Sequence, residues 1–377
     1  MLEAAALQRR RSLVFAYCSE IVGPLLRVAA RMRADGPPTP PATWRRVVIL
    51  GSSHIGDVLY RTSSLAALRR AFPDAHITYA CASDTRALLD TNPDIDAVLA
   101  LDDDERSWPW SERVRSMFRA QRFDAALCTN HHVYHADLML AAVSGIPNRV
   151  AFVHKGFSGL ATVPIPGNFP RPSPMYFRSM VASLAGTAPD WPLDPVLHLT
   201  AQDRAEADAA MAEMALDEGR ITVACTLTVR QQATLVWPAE QYLVALEALN
   251  RVMPLQVAFC GSQGDAALLH GVAARASFPS RVLAGRLGLR ALGVFLSRCD
   301  GLLAADSGPR HIANAVRTPV VFIRSLSASR AESGQYSDNE IDLAPEGDFL
   351  PLAEQGVRLS RIDPLMVART LADHIDP

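Results

Sequence analysis

The chain has 377 residues, 49% of them hydrophobic and 20% charged, with a formal net charge of -2. These values describe a folded protein with room for two domains of ordinary size, exclude intrinsic disorder, and give no global charge argument for binding nucleic acid. Of the 37 basic residues only Lys155 is a lysine, which we read as codon bias rather than chemistry. The six cysteines, Cys18, Cys81, Cys128, Cys225, Cys260 and Cys299, are scattered, and no two have CxxC spacing. Neither a zinc site nor a redox pair is signalled, and a reducing, cytoplasmic compartment fits.

In chain order, residues 1–43 stand apart as an N-terminal extension. Arg9-Arg10-Arg11 precedes "SLVFAYCSEIVGPLLRVAARMR". Glu20 and Arg27 interrupt this run well short of the roughly 20 apolar residues a spanning helix needs, and Glu20 spoils the apolar region of a signal peptide. Leu13, Val14, Tyr17, Ile21, Leu25 and Val28 recur at helical spacing. Two readings stay open: a basic amphipathic helix lying on an anionic membrane face or a partner, or a packing helix. "DGPPTPPATW" then reads as a stiff linker.

From Trp44 strand and helix patterns alternate. "RVVIL" is a strand, "VLYRTSSLAALRRAF" a helix, "HITYACA" a strand, "TRALLDT" a short helix, and "DAVLAL" a strand. "WSERVRSMFRAQ" is a helix, "FDAALCT" a strand and "HADLMLAAVS" a helix. Short apolar strands of this kind belong to a parallel sheet covered on both faces. Residues 150–196 are rich in proline and read as a long connection with a helix near "YFRSMVASLAG". The alternation then restarts with strands at "ITVACTL", "LQVAFCG", "RVLAG", "GLLAAD" and "PVVFI", separated by helices, and a last helix at "DPLMVARTLADHI". The organisation is two α/β domains, 44–195 and 196–362, followed by a C-terminal helix over 363–377. Each is a doubly wound sheet whose strand carboxyl ends present loops to a cleft.

Four loops carry chemistry. In "GSSHIGD", Gly51 and Gly56 permit a tight turn, Ser52 and Ser53 offer hydroxyls, and Asp57 stands where the helix begins. Asp57 is either a cap or first-turn residue, or a carboxylate placed to take a proton. In "AADSGPRHIANAVRTP", Asp306 ends a strand, Ser307 and Gly308 open a helix, and His311 and Asn314 share one face. The free amides of that helix start, with the Ser307 hydroxyl, suit a phosphate or pyrophosphate; the alternative is a plain helix start with a solvent-facing His311. In "FCGSQGDAALL", Gly261 follows a strand and Asp265 either caps a helix or accepts from a ribose. In "TLTVRQQATLVWP", Thr226, Thr228 and Arg230 lie past another strand, and Arg230 either pairs with a phosphate or is a surface arginine. "LDDDERS" is a charge run that reads as a solvated connection.

These motifs together resemble glycosyltransferase family 9, the heptosyltransferase family of bacterial lipopolysaccharide assembly. The resemblance rests on "SSHIGDVLYRTSSLAALRRAFPDAHITYAC" with "NPDIDAVLAL", on "ADSGPRHIANAVRTPVVFI", and on "VWPAEQY" and "FCGSQGDAALL" between them. It covers roughly residues 46–323. It implies a GT-B architecture, two Rossmann-like domains facing a cleft, with the acceptor on the first and the nucleotide sugar on the second. It also implies a metal-independent, inverting displacement with no cofactor beyond the nucleotide-sugar co-substrate. Asp57 would be the base, with Ser52, Ser53 and Gly56 in the acceptor loop. Asp306, Ser307, Gly308, His311, Thr226, Thr228, Arg230, Gly261 and Asp265 would be on the donor side. The implied partners are an ADP-linked heptose donor and a lipid-linked glycan acceptor, at the cytoplasmic face of the inner membrane; no nucleic acid partner is expected.

The chain departs from the family pattern in three places. Leu235 stands where a lysine is usual, Leu287-Gly288 where Thr-Ser is usual, and "IRSLSAS" where Phe-Gly-Pro-Thr is usual. These departures bear on the donor. They keep open another sugar donor in capsule or exopolysaccharide synthesis, and a non-catalytic sugar-nucleotide-binding protein. A nicotinamide-binding oxidoreductase lacks its dinucleotide fingerprint here.

Overall fold

In the computed structural model, the described residues are 36–51, 54–102, 111–129, 136–153, 158–167, 172–228, 237–326, 329–345 and 352–375. The chain divides into two compact units between Pro192 and Leu193. The basic N-terminal segment before residue 36, most of the 101–107 charge run, Ser52, Ser53, Arg230 and Leu235 lie outside the described residues.

The first unit is built on strands β1 (Arg46–Leu50), β2 (His76–Ala82), β3 (Ala97–Leu101), β4 (Ala125–Cys128), β5 (Asn148–Phe152) and β6 (Val163–Ile165). All pairs are parallel, in the order β3-β2-β1-β4-β5-β6. The second unit carries β7 (Ile221–Thr226), β8 (Leu255–Phe259), β9 (Ser280–Val282), β10 (Gly301–Ala305), β11 (Val320–Ile323) and β12 (Glu340–Leu343), again all parallel, in the order β12-β11-β10-β7-β8-β9. Counted within each unit, both sheets have the strand order 3-2-1-4-5-6 of a Rossmann fold. Each unit therefore has its own switch point: β1 beside β4 in the first, β7 beside β10 in the second.

Residue type explains the strands. The central ones are fully buried apolar runs, such as Val47, Val48 and Ile49 in β1 and Leu302, Leu303 and Ala304 in β10, as a sheet covered on both faces requires. Two cores follow. In the first unit Val48, Phe118, Phe123, Leu127 and Leu138 are buried. In the second Trp237, Tyr242, Leu246, Phe259 and Leu371 are buried, with the Trp237 and Tyr242 rings edge-on at 4.8 Å. Each such side chain contributes roughly 1.5–3 kcal/mol on burial. The five described cysteines are free and buried. Burial pushes the Cys260 thiol up to about 12, so it behaves as a small apolar filler rather than a nucleophile.

The structure differs from the sequence expectation in several elements. The first helix is two, Ile55–Thr62 and Leu65–Ala71. The Ser63 hydroxyl bonds back to the Tyr60 carbonyl at 2.9 Å, and Ser64 receives the Trp191 indole N–H at 3.0 Å. The Ser63 hydroxyl, bonded to a carbonyl of the preceding turn, competes with the helical ladder. Residues 83–88 form a 3-10 turn rather than an α-helix. β5 runs into the proline-rich connection, which contains β6 as well as the helix Pro174–Ala185, ending at Gly186 in the left-handed region, φ 66°. β6 tolerates Pro164 because it is an edge strand. The helix Ala201–Met214 and strand β12 were not expected. That helix starts on a capping box in which Thr200 and Asp203 satisfy each other's backbone. Among the described residues no helix is long and apolar enough to cross a membrane.

Candidate active site

The described candidates of the first unit, Gly56 and Asp57, lie in the helix that follows the switch-point strand β1. β1 ends at Leu50, in register with Cys128 of β4. The two strand ends are tied by the Thr129 hydroxyl, which donates to the Leu50 carbonyl at 2.8 Å. Gly51 follows, and a β-carbon there would collide with the Tyr79 ring. Close packing, rather than a tight turn, explains this glycine. Gly56 is buried inside the first helical turn.

Asp57 is the third residue of the helix Ile55–Thr62, whose N-cap is His54. It is thus a first-turn residue and not the N-cap. Its carboxylate accepts from the Tyr60 hydroxyl and lies 3.4 Å from the His54 imidazole. The Asp57 side chain is 14% exposed and that of His54 73%, so one side of the pair meets solvent. Burial, reinforced by the Asp57 charge, pushes the Tyr60 hydroxyl well above its ordinary value, so Tyr60 stays a donor. Beneath them Arg61 is buried and donates to the Asp57 carbonyl and, at 3.5 Å, to the Thr129 carbonyl. Burial opposes the Arg61 charge, but Tyr79, Asp57 and Tyr60 outweigh it. The result is a carboxylate that accepts from a neutral hydroxyl and faces an imidazole, on a first helical turn whose backbone carbonyl is bonded to a buried cation.

The second unit repeats the placement. Thr226 ends β7, and Ala304 of β10 is its register partner. The Thr226 hydroxyl is buried and has no hydrogen-bond partner among the described residues. Thr228 follows, half-buried. Asp306 leaves β10 and pairs with Arg310 at 2.9 Å. Burial raises the Asp306 carboxyl above its ordinary value, and Arg310 works against that rise. Ser307 is the N-cap of the helix Gly308–Ala315, but its side chain makes no capping bond; it donates instead to the Ala305 carbonyl at 3.3 Å. Pro309 sits in the first turn, where its missing N–H costs nothing. The positive end of that helix is suited to an anion.

His311 does not simply face solvent. Its Nδ1 lies 2.7 Å from the Tyr336 hydroxyl, and the two rings stack at 5.6 Å with 12° between planes. Asp265 belongs to a capping box: its carboxylate accepts from the Ser262 backbone N–H at 2.7 Å and hydroxyl at 2.6 Å. That engagement favours the capping role for Asp265 over a ribose contact. Gly261 is there for packing, since a β-carbon would stand 3.0 Å from Asp265 and Leu269. Gly288, one of the family departures, is the N-cap of the helix Leu289–Leu296, and its N–H donates to Glu206 at 2.6 Å.

Sequence reasoning passed over Arg310 and Glu340. Arg310 is buried, forks onto both Glu340 oxygens at 2.7 and 3.0 Å, and lies 3.4 Å over the Phe322 ring. It also donates to the Ser333 and Gly334 carbonyls. Glu340 is fully buried and accepts from Asn314 and from the Tyr336 backbone, both at 2.8 Å. The available signal was an arginine one turn after Asp306, the spacing of a helical ion pair. Among the described residues no group of three or more His, Cys, Asp or Glu side chains could hold a metal ion.

A family model described as glycosyltransferase family 9 (heptosyltransferase) matches residues 111–328. The curated protein lipopolysaccharide heptosyltransferase 3 of Escherichia coli is 24% identical over 286 residues, 71% of this chain and 80% of that protein. Among solved structures, the glycosyl transferase family 9 protein of Veillonella parvula DSM 2008 superposes with a TM-score of 0.76 at 21% identity, covering 88% of this chain and 97% of the other. The E. coli ADP-heptose LPS heptosyltransferase II gives 0.66 at 20% identity, covering 88% and 98%. The two structures share the fold, and the family model, matching more than half of the residues and including the Asp306–His311 segment, identifies the chain as a glycosyltransferase that belongs to family 9.

Proposed function

We propose that this glycosyltransferase moves a heptose from an ADP-linked donor onto a lipopolysaccharide core or a related surface glycan, in one inverting, metal-independent displacement. The observation that carries the reading is positional. Asp57 follows the switch-point strand of one Rossmann sheet, and Thr226, Asp306 and Ser307 sit at the switch point of the other, where such sheets take ligands. The family match does not reach Asp57, so the base is argued from its place and surroundings.

In this reading the acceptor hydroxyl gives its proton to the Asp57 carboxylate as its oxygen attacks the anomeric carbon. The bond from that carbon to the diphosphate breaks, and the nucleoside diphosphate leaves with the bonding electrons. Charge growing on the leaving group meets the start of the helix Gly308–Ala315, the Ser307 hydroxyl and His311. Tyr60 and His54 orient the Asp57 carboxylate. The named relatives, an ADP-heptose LPS heptosyltransferase and a lipopolysaccharide heptosyltransferase, support the choice of donor and acceptor. The arginine-rich segment 1–43 would hold the enzyme at the cytoplasmic face of the inner membrane, near a lipid-linked acceptor.

Leu235 and Leu287-Gly288, at positions where the resemblance leads one to expect lysine and Thr-Ser, favour a second reading in which the donor is another nucleotide sugar. A thermal-shift panel of ADP-, UDP-, GDP- and CMP-linked sugars decides between them, because a true donor raises apparent stability by mass action. The main reading expects ADP-heptose to give the largest shift. A larger shift with a UDP- or GDP-linked sugar would replace it with the second.

A further inference from the structure

The chain passes from the first unit to the second once, between Pro192 and Leu193. It does so inside a stretch, residues 186–200, that has neither helix nor strand. We propose that this crossing is a two-residue pivot, Pro192-Leu193, and that Trp191 is the positioning residue that stops its first end. The Trp191 indole N–H donates to the Ser64 hydroxyl at 3.0 Å, and Ser64 is fully buried. The Arg178 guanidinium, on the helix Pro174–Ala185, lies 5.7 Å from the Trp191 ring centre, within cation–π range. The same guanidinium donates to the Pro189 carbonyl at 2.9 Å.

The stop in the second unit follows at once. The Asp194 carboxylate accepts from the Ser337 hydroxyl at 2.5 Å and pairs with Arg317 at 3.3 Å. Beyond it Pro195 and Leu197 are buried. A β-carbon on Gly293 would stand 2.8 Å from Leu197, so from there the chain is packed on the helix Leu289–Leu296. Between the two stops Pro192 is exposed and Leu193 half-buried, and neither backbone makes a hydrogen bond among the described residues.

Residue type makes this pivot stiff. Proline fixes φ at position 192. Trp191 and Asp194 each precede a proline, which favours extended backbone at both. The soft torsions left are ψ of Pro192, both torsions of Leu193 and φ of Asp194. Each end is also fastened beside an element that carries candidate residues of its own unit. Ser64 opens the helix Leu65–Ala71, directly after the helix that holds Asp57. Arg317 follows the helix that opens at Ser307 and holds His311. The consequence for catalysis rests on the proposed function: a loosened pivot costs turnover, because the base and the donor are carried by different units. ADP binding, which uses the second unit, is untouched.

The test is pulsed dipolar electron spin resonance on the full chain, spin-labelled at Asp74→Cys and Val252→Cys, two exposed positions, one in each unit. Cys18→Ser removes the cysteine outside the described residues, and the other five are buried. Without the Trp191 stop the free stretch grows from Pro192-Leu193 to residues 190–193. Trp191→Phe keeps an aromatic ring and loses the N–H. Ser64 makes no capping bond, so Ser64→Ala loses the same bond from the other side. Each variant should broaden the distribution of label distances by about the same amount, with the double variant no broader than either and circular dichroism unchanged. A distribution of unaltered width in both variants overturns the proposal. In the transfer assay both should turn over about tenfold more slowly, within the cost of a small misplacement of reacting groups, with ADP affinity by calorimetry unchanged. Broadened distances with undiminished turnover overturn the link to catalysis. The distance measurement needs no substrate, so its outcome is separate from whether ADP-heptose is the donor.

Discussion

The Asp57 carboxylate sits at the third position of its helix, not at the cap, and this decides what its removal should do. Asparagine at that position keeps the side-chain shape and loses the proton acceptor. Asp57→Asn should lower turnover by about two or more orders of magnitude, the usual scale of general-base help, with little change in melting temperature. Near-normal turnover would leave Asp57 a first-turn residue and nothing more. On the donor side, Ser307→Ala and His311→Ala should each weaken binding of the nucleoside diphosphate product, read by calorimetry; unaltered product affinity in both would remove that site. The strand, the Gly-Asp pair and the helix after it are plain in the residues, so the place of Asp57 is legible from sequence. Whether it caps is not, because the cap is set by the extended backbone of His54. Asp265 is the reverse case. Ser262 three residues earlier is the signature of a capping box, and the structure uses it as one.

Among the elements, the helix Gly308–Ala315 is fixed to β12 by the Arg310–Glu340 pair. Both side chains are buried, 1% and 0% exposed, so removing one partner strands the other charge. Glu340→Gln should destabilise the protein on the order of 3–5 kcal/mol, measured by urea unfolding; a loss under about 1 kcal/mol, the worth of a surface pair, would mean the pair is unimportant. The pH dependence has a definite sign. The Glu340 carboxyl is lower in the folded chain than its ordinary value, so folding favours the ionised form. That stabilisation is complete above the unfolded carboxyl range, about pH 4.3, and is lost as the pH falls through the folded value. Glu340→Gln should therefore flatten the acid side of the stability curve. β12 escaped sequence reading because its inward residue is a glutamate, and burial of that charge depends on an arginine 30 positions away in sequence. β5 and β6 escaped because proline dominates their surroundings, and only an edge position makes Pro164 acceptable. The break at Ser63 and Ser64 coincides with a contact from Trp191 that no local window contains.

Over the whole molecule the same strand order occurs twice, and this is why the alternation of apolar runs was enough to read two α/β domains. The order of strands across each sheet was not legible, since strand pairing is set by crossover connections rather than by composition. The extension at 1–43 is tested at this scale. Deleting residues 1–41 should abolish co-sedimentation with anionic vesicles and leave activity on a soluble acceptor analogue. Each basic residue near such a surface adds on the order of 1 kcal/mol, so binding of the intact chain should also decline with salt. Intact protein that ignores anionic vesicles would show that this segment is no membrane anchor. The central claim is sugar transfer from an ADP-linked heptose with Asp57 as the base. It is tested most directly by incubating the purified chain with ADP-heptose and a heptose-deficient lipopolysaccharide core, then following acceptor mass and ADP release together. The account predicts that the acceptor gains one heptose for each ADP released, with the Asp57→Asn protein at least about a hundredfold slower. Transfer at equal rates by both proteins, or no gain in acceptor mass with ADP-heptose while another nucleotide sugar is consumed, would contradict it.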